Sequence, residues 1–252
     1  MRLWARIIAA LICAGHLSGA AAETNISGSG PTPYPKAAQD WPGEGVIRVF
    51  GWMQQNRESF WKQRESKRGA WVLAGDSLLG NWKTSERELA PTKTANRAIG
   101  GDVSRGLLFR FQEDVLDLNP SGVVVLIGGN DLSALQNTDQ TARNIDRMLQ
   151  AIRARNHSLP VVLCTLPPRD SEKAPIKPEE LTRLNASIRG LAEKYDNVEL
   201  LDLFPLFATA EGQPQAALLA ADRLHIGPAG YEVLGRALKA KIESVRVTAT
   251  DR

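Results

Sequence analysis

Five short apolar runs, residues 71–74, 95–99, 123–127, 161–164 and 198–201, alternate along the chain with longer stretches of helical period. In those stretches the apolar residues recur every three or four positions. Val103, Leu107, Phe111 and Val115 form one set, and Ala142, Ile145, Leu149 and Ile152 a second. Leu181, Leu184, Ile188 and Leu191 make a third, and Tyr231, Leu234, Leu238 and Ile242 a fourth with Pro228 near its first turn. Such spacing places each set on one helix face. The runs are continuous and rich in Val and Leu, as strands buried on both faces are. Strand–helix alternation of this kind predicts one α/β domain, a parallel sheet with helices on both sides. Ahead of it, residues 46–64 have a helical look and carry Phe50, Trp52 and Phe60.

The first residues narrow the list of chemical candidates. Arg2 and Arg6 precede an apolar run, residues 7–17, followed by the small residues Ser18, Gly19, Ala20, Ala21 and Ala22. That is the pattern of a secretory signal peptide, with cleavage expected after Ala22 and export to periplasm or medium. The run is too short to span a bilayer, so no stable membrane insertion is expected once it is removed. Residues 23–44, with Ser27-Gly28-Ser29-Gly30 and prolines at 31, 33, 35 and 42, read as a flexible lead, and the folded domain is expected over 45–246. Cleavage takes away Cys13 and His16, leaving Cys164, His157 and His225. One cysteine forms no intrachain disulfide, and two histidines cannot supply a three-His zinc site. With 31 basic and 28 acidic residues the chain lacks the basic stripe of a nucleic-acid binder.

In an open parallel sheet, ligands bind beyond the carboxyl ends of the strands. Three of those ends carry unusual residues: Gly75-Asp76-Ser77 after the first run, Gly100-Gly101-Asp102 after the second, and Gly128-Gly129-Asn130-Asp131 after the third. Singly, each has an ordinary reading, since glycine permits tight turns and Ser, Asp and Asn cap helices. Together they converge on one sheet edge. Near the C-terminus, Asp222-Arg223-Leu224-His225 supplies an imidazole with a carboxylate three residues away. A serine hydroxyl needs a base to take its proton, and a carboxylate on the far ring nitrogen fixes the tautomer. His157 stands before the fourth run, at the amino end of the sheet, so the candidate base is His225. Asp202, after the fifth run, is a rival acid whose ordinary role is to cap the turn that follows it. Candidate donors to a developing oxyanion are the N–H groups of Ser77 and Gly101 and the Asn130 amide.

Gly75-Asp76-Ser77, Gly101, Asn130 followed by Asp131, and Asp222-x-x-His225 resemble, in order and spacing, the four blocks of the SGNH, or GDSL-type, hydrolases. Residues 96–102, the Leu166-Pro167-Pro168-Arg169 loop and Leu200-Leu201-Asp202 resemble the branch of platelet-activating-factor acetylhydrolase catalytic subunits. The resemblance implies a flavodoxin-like three-layer α/β/α sandwich with a mainly five-stranded parallel sheet. It also implies ester hydrolysis without a cofactor or metal. Carried over by position, Ser77 is the nucleophile, His225 the base, Asp222 its orienting acid, and Ser77, Gly101 and Asn130 the oxyanion hole. Asp76 and Asp131 fall at non-catalytic positions and are expected to hydrogen-bond backbone N–H groups. Gly129 departs from the bulkier residue of the acetylhydrolase subunits and is expected to widen the pocket floor. The expected substrate is a small-molecule or glycan ester with a short acyl group. A lysophospholipase or thioesterase would use the same residues, and a cell-envelope binding module on a retired hydrolase fold would lack a reactive serine. The sequence fixes no oligomeric state.

Overall fold

The computed structural model describes residues 30–135 and 137–250; residues 1–22, expected to be a signal peptide, lie outside them. Five strands, β1 (Trp71–Gly75), β2 (Thr94–Asn96), β3 (Gly122–Leu126), β4 (Val161–Cys164) and β5 (Val198–Leu201), form one parallel sheet in the order β2-β1-β3-β4-β5. The register pairs Val72 with Ala95 on one side and Val123 on the other, and Val161 with both Val123 and Val198. Every residue of β1, β3 and β4 is buried, so their unbroken apolar runs meet helices on both faces. Burying a Val or Leu side chain contributes about 1.5–3 kcal/mol. β5 is the partial exception. It closes one edge of the sheet, and Glu199 within it is exposed.

Nine helices accompany the sheet among the described residues: α1 (Gly51–Gln63), α2 (Ser77–Gly80), α3 (Ser85–Glu88), α4 (Ser104–Asp114), α5 (Gly129–Leu135), α6 (Thr138–Arg155), α7 (Pro178–Lys194), α8 (Leu203–Phe207) and α9 (Pro228–Thr250). α4, α6 and α7 pack side by side, and α9 joins the β1–β2 connection, where Trp82 stacks on Tyr231 at 5.7 Å between ring centroids. The result is a three-layer α/β/α sandwich, as expected. Among the described residues no helix is long and apolar enough to cross a membrane.

Beyond one-residue shifts at β1 and β3, two boundaries differ from expectation. β2 is three residues long rather than five, although beyond its end the N–H groups of Arg97 and Ile99 still donate to the Leu73 and Gly75 carbonyls of β1 at 2.8 and 3.0 Å. The helix expected over 46–64 begins only at Gly51. The expected lead is described from Gly30. From Pro31 onward it packs beside α4, with Tyr34 stacked on Trp41 at 5.5 Å and tilted against Phe109. The Arg105 guanidinium donates to the carbonyls of Pro42 and Gly45 at 2.9 and 3.1 Å.

Candidate active site

β1 ends at Gly75, and the chain turns at Asp76 into the short helix α2, whose first residue is Ser77. The Asp76 carboxylate accepts from Leu78 N–H at 2.9 Å and so caps α2. Ser77 therefore stands at the carboxyl edge of the sheet with its hydroxyl half-exposed, while Leu78 and Leu79 point into the core. His225 reaches it across 148 residues of sequence, with Nε2 at 2.9 Å from Ser77 Oγ. On the other side of the ring, Nδ1 lies 2.6 Å from Asp222 Oδ2, and Asp222 Oδ1 accepts from the N–H groups of Leu224 and His225, both at 3.0 Å. Partial burial raises the Asp222 carboxyl, but the His225 amide, its imidazole and the Leu224 amide outweigh this and bring it down to about 2. The acid beside His225 is thus ionised at any working pH.

The second and third strand exits close on the same point. A Cβ placed on Gly100 would lie 3.8 Å from the Ser77 Cβ, which sets this turn directly beside the serine. Gly101 has φ +84°, and a Cβ there would meet the Phe50 ring at 3.0 Å. Trp52 Nε1 donates to the Gly100 carbonyl at 2.9 Å. In a trans peptide the C=O and the following N–H oppose each other, so this bond turns the Gly101 N–H away from α1. Asn130 is the second residue of α5, and its Nδ2 donates to the Asp102 carbonyl at 2.8 Å and lies 3.5 Å from Asp76 Oδ2. Asp131 accepts from Ser104 N–H at 2.9 Å and Ser104 Oγ at 2.6 Å, tying the starts of α4 and α5 together. Asp76 and Asp131 are both turn-holding residues, as expected. Burial pushes their carboxyls up to about 6 and about 7.

The structure thus gathers Ser77, Gly101, Asn130, Asp222 and His225 and leaves the rivals elsewhere. His157 is exposed in the turn before β4. Asp202 does not cap α8 with its side chain. Instead Thr165 Oγ1 accepts from Leu203 N–H at 2.8 Å and hands its own proton to Asp202 at 2.7 Å, while Arg189 holds the same carboxylate. Cys164 is buried, and burial pushes its thiol up to about 12, far from a reactive thiolate. Gly129 does not open a floor, because the Arg169 guanidinium fills the space, with Nη1 3.2 Å from where a Cβ would sit. Trp82, two residues beyond α2, is 1% exposed and donates to Glu88 at 2.8 Å.

Several contributors had no signal in the sequence. Arg110 is fully buried and donates to Asp102 Oδ2 at 2.8 Å, to the Arg97 carbonyl at 2.7 Å and to the Gly75 carbonyl at 3.2 Å. Burial opposes its charge, and the carboxylates of Asp102 and Asp114 outweigh burial. One guanidinium thereby joins the exits of β1 and β2. Phe50 and Trp52 stack at 4.4 Å and remain 36% and 49% exposed beside the Gly100-Gly101 turn. A cavity of about 420 Å³ lies further along, lined by Asn56, Phe60, Gly80, Trp82, Lys83 and Ala98 among others; it adjoins α2 but none of Ser77, Asn130 and His225 lines it.

Residues 68–233 match the model of the GDSL-like Lipase/Acylhydrolase family. The chain is 28% identical over 208 residues to the Platelet-activating factor acetylhydrolase IB subunit alpha2 of Homo sapiens, covering 81% of this chain and 86% of that protein. It is similar to the solved structure of a GDSL-like lipase from Bacteroides thetaiotaomicron, at 26% identity and TM-score 0.63, over 72% of this chain and 90% of that one. A lipase/acylhydrolase from Enterococcus faecalis aligns at 26% identity and TM-score 0.59, over 70% of this chain and 96% of its own.

Proposed function

The chain belongs to the GDSL-like lipase/acylhydrolase family and is an ester-hydrolysing enzyme, and from that premise we propose an exported serine esterase that removes short acyl groups, acetyl foremost, from a hydroxylated carrier. The observation that carries the reading is the line Ser77 Oγ–His225 Nε2, 2.9 Å, and His225 Nδ1–Asp222 Oδ2, 2.6 Å. Ser77 Oγ attacks the ester carbonyl carbon as His225 Nε2 takes its proton, and Asp222 steadies the imidazolium. The negative charge on the former carbonyl oxygen rests on the N–H groups of Ser77 and Gly101 and on Asn130 Nδ2. His225 returns the proton to the departing alkoxide. It then deprotonates a water, which attacks the acyl-enzyme and releases the acid and Ser77.

Export rests on residues 1–22, and the same location makes polysaccharide or glycoside esters the expected carriers. Support for a short acyl group comes from the residues next to the nucleophile. Leu78 and Leu79 are 6% and 0% exposed, committed to the core and not free to line a long apolar groove. A lysophospholipase or thioesterase reading draws instead on the exposed Val49, Phe50 and Trp52 beside Gly101. Rates on acetyl, butyryl and decanoyl esters separate the two. Short-chain preference supports the esterase, and a rising rate toward decanoyl transfers the site to the longer acyl substrates. For the nucleophile itself, folded Ser77→Ala is expected to lose p-nitrophenyl acetate turnover, and turnover at the wild-type rate would mean a different attacking group.

A further inference from the structure

Two successive side chains of the β4–α7 loop reach to opposite sides of Ser77. The loop leaves β4 through Leu166, whose N–H and carbonyl are both held by the Asn185 amide of α7, at 2.8 and 2.9 Å. Pro167 and Pro168 then restrict the chain's direction. Arg169 turns toward Asn130. Its Nη2 donates to the Gly129 carbonyl at 3.0 Å and to the Ser133 hydroxyl, gripping the first turn of α5 on which Asn130 sits. Asp170 turns the other way. Its N–H donates to the Arg223 carbonyl at 3.3 Å, and its carboxylate accepts from Arg223 Nε at 2.7 Å and from Nη2.

Arg223 stands between Asp222 and His225, and its φ is +57°. A non-glycine residue in the left-handed region is held there against its own preference, here from within the turn, where its N–H donates to the Ala220 carbonyl at 3.0 Å and Asp222 Oδ1 accepts from the Leu224 and His225 amides, and from outside it by Asp170. A fork of two parallel N–H···O bonds fixes orientation as well as distance. The two side chains are 43% and 40% exposed. A pair that open to water adds little to global stability and is weakened by salt. Its importance therefore lies in its place.

We propose that Arg169 and Asp170 are positioning residues, a strap that registers the Asp222–His225 turn against the Asn130 turn across Ser77, with the Asp170–Arg223 pair setting where the imidazole lies. The proposal rests on the serine-esterase reading of the same site. A loosened strap leaves substrate binding alone and lowers the fraction of molecules with Nε2 in reach of the hydroxyl, so the loss falls on kcat.

The test is p-nitrophenyl acetate kinetics on the full chain for wild type, Arg169→Gln, Asp170→Asn, Asp170→Arg, Arg223→Asp and the charge swap Asp170→Arg/Arg223→Asp. Each single variant is expected to lower kcat about tenfold with KM within about twofold and Tm within about 4 °C. The swap is expected to return kcat to within about threefold of wild type. Between about 0.05 and 1 M NaCl, wild-type kcat is expected to fall several-fold while that of Asp170→Asn stays level. Asp170→Asn within twofold of wild-type kcat, a swap as slow as its parents, or losses that track Tm would overturn the strap, and an unchanged Arg169→Gln would remove its Asn130 arm. Ser77→Ala, run alongside, separates the two claims. If it keeps wild-type turnover the esterase reading fails, whereas if it is inactive and Asp170→Asn is not impaired, the strap alone fails.

Discussion

Asn130 Nδ2 lies 2.8 Å from the carbonyl oxygen of Asp102, and the carboxylate of that same Asp102 is held by the buried Arg110. The amide that would meet an oxyanion is therefore fixed through the residue that also anchors the exits of β1 and β2. Donors held in place before the reaction do not have to reorganise during it.

Asn130→Ala is accordingly expected to lower kcat by about 100- to 1000-fold, with KM changed far less. Steady-state kinetics on p-nitrophenyl acetate reads this directly. Equal kcat in the two proteins would remove Asn130 from the reaction.

Gly101 tests the neighbouring donor. A side chain there faces both φ +84° and the Phe50 ring at 3.0 Å, with Met53 Cε at 3.5 Å. Gly101→Ala is expected to destabilise the fold by about 1–3 kcal/mol and to lower kcat as the turn shifts. Adding Phe50→Ala should relieve the steric share and leave the backbone share. Urea denaturation and kcat measured together check this, and a variant with wild-type stability and rate would contradict the tight turn.

Stability should respond to pH through Asp76 and Asp131. Burial raises these carboxyls from an ordinary 3.8 to about 6 and about 7. Between those limits the folded chain holds more protons than the unfolded chain, so their contribution to stability falls as pH rises. The urea midpoint is expected to be higher near about pH 5 than near about pH 7.5, with a shallower slope in Asp131→Asn. A midpoint that climbs across that window, or an unaltered slope in the variant, would count against buried, reluctantly ionised carboxyls.

The fold was legible because its signals are local. Runs such as 161–164 and 198–201 match β4 and β5 to the residue, and Leu184 and Ile188 mark a helix face without any partner being known. The gathered site was legible for a different reason: a parallel sheet sends every strand exit to one edge, so Ser77, Gly101 and Asn130 meet whatever the loops do. His225 followed by elimination among very few histidines. What escaped depends on long-range pairing. Arg110 reads as one more helical arginine until Gly75, Arg97 and Asp102 are seen around it. Phe50 and Trp52 read only as aromatics of a helical stretch, yet they lie half-exposed over the glycine turn. Gly129 suggested space that an arginine forty residues later fills, and Asp202 suggested a cap whose work Thr165 does. Side chains that cross between loops leave no period and no spacing in the sequence.

The central claim is that Ser77 is the nucleophile and that His225 activates it. The most direct measurement is intact-protein and peptide mass spectrometry after treatment with a fluorophosphonate, on wild type, Ser77→Ala and His225→Gln. The account predicts a single adduct on Ser77 in wild type, none in Ser77→Ala, and slow labelling in His225→Gln. An adduct on another residue, or labelling of Ser77 at the wild-type rate without the imidazole, would contradict it.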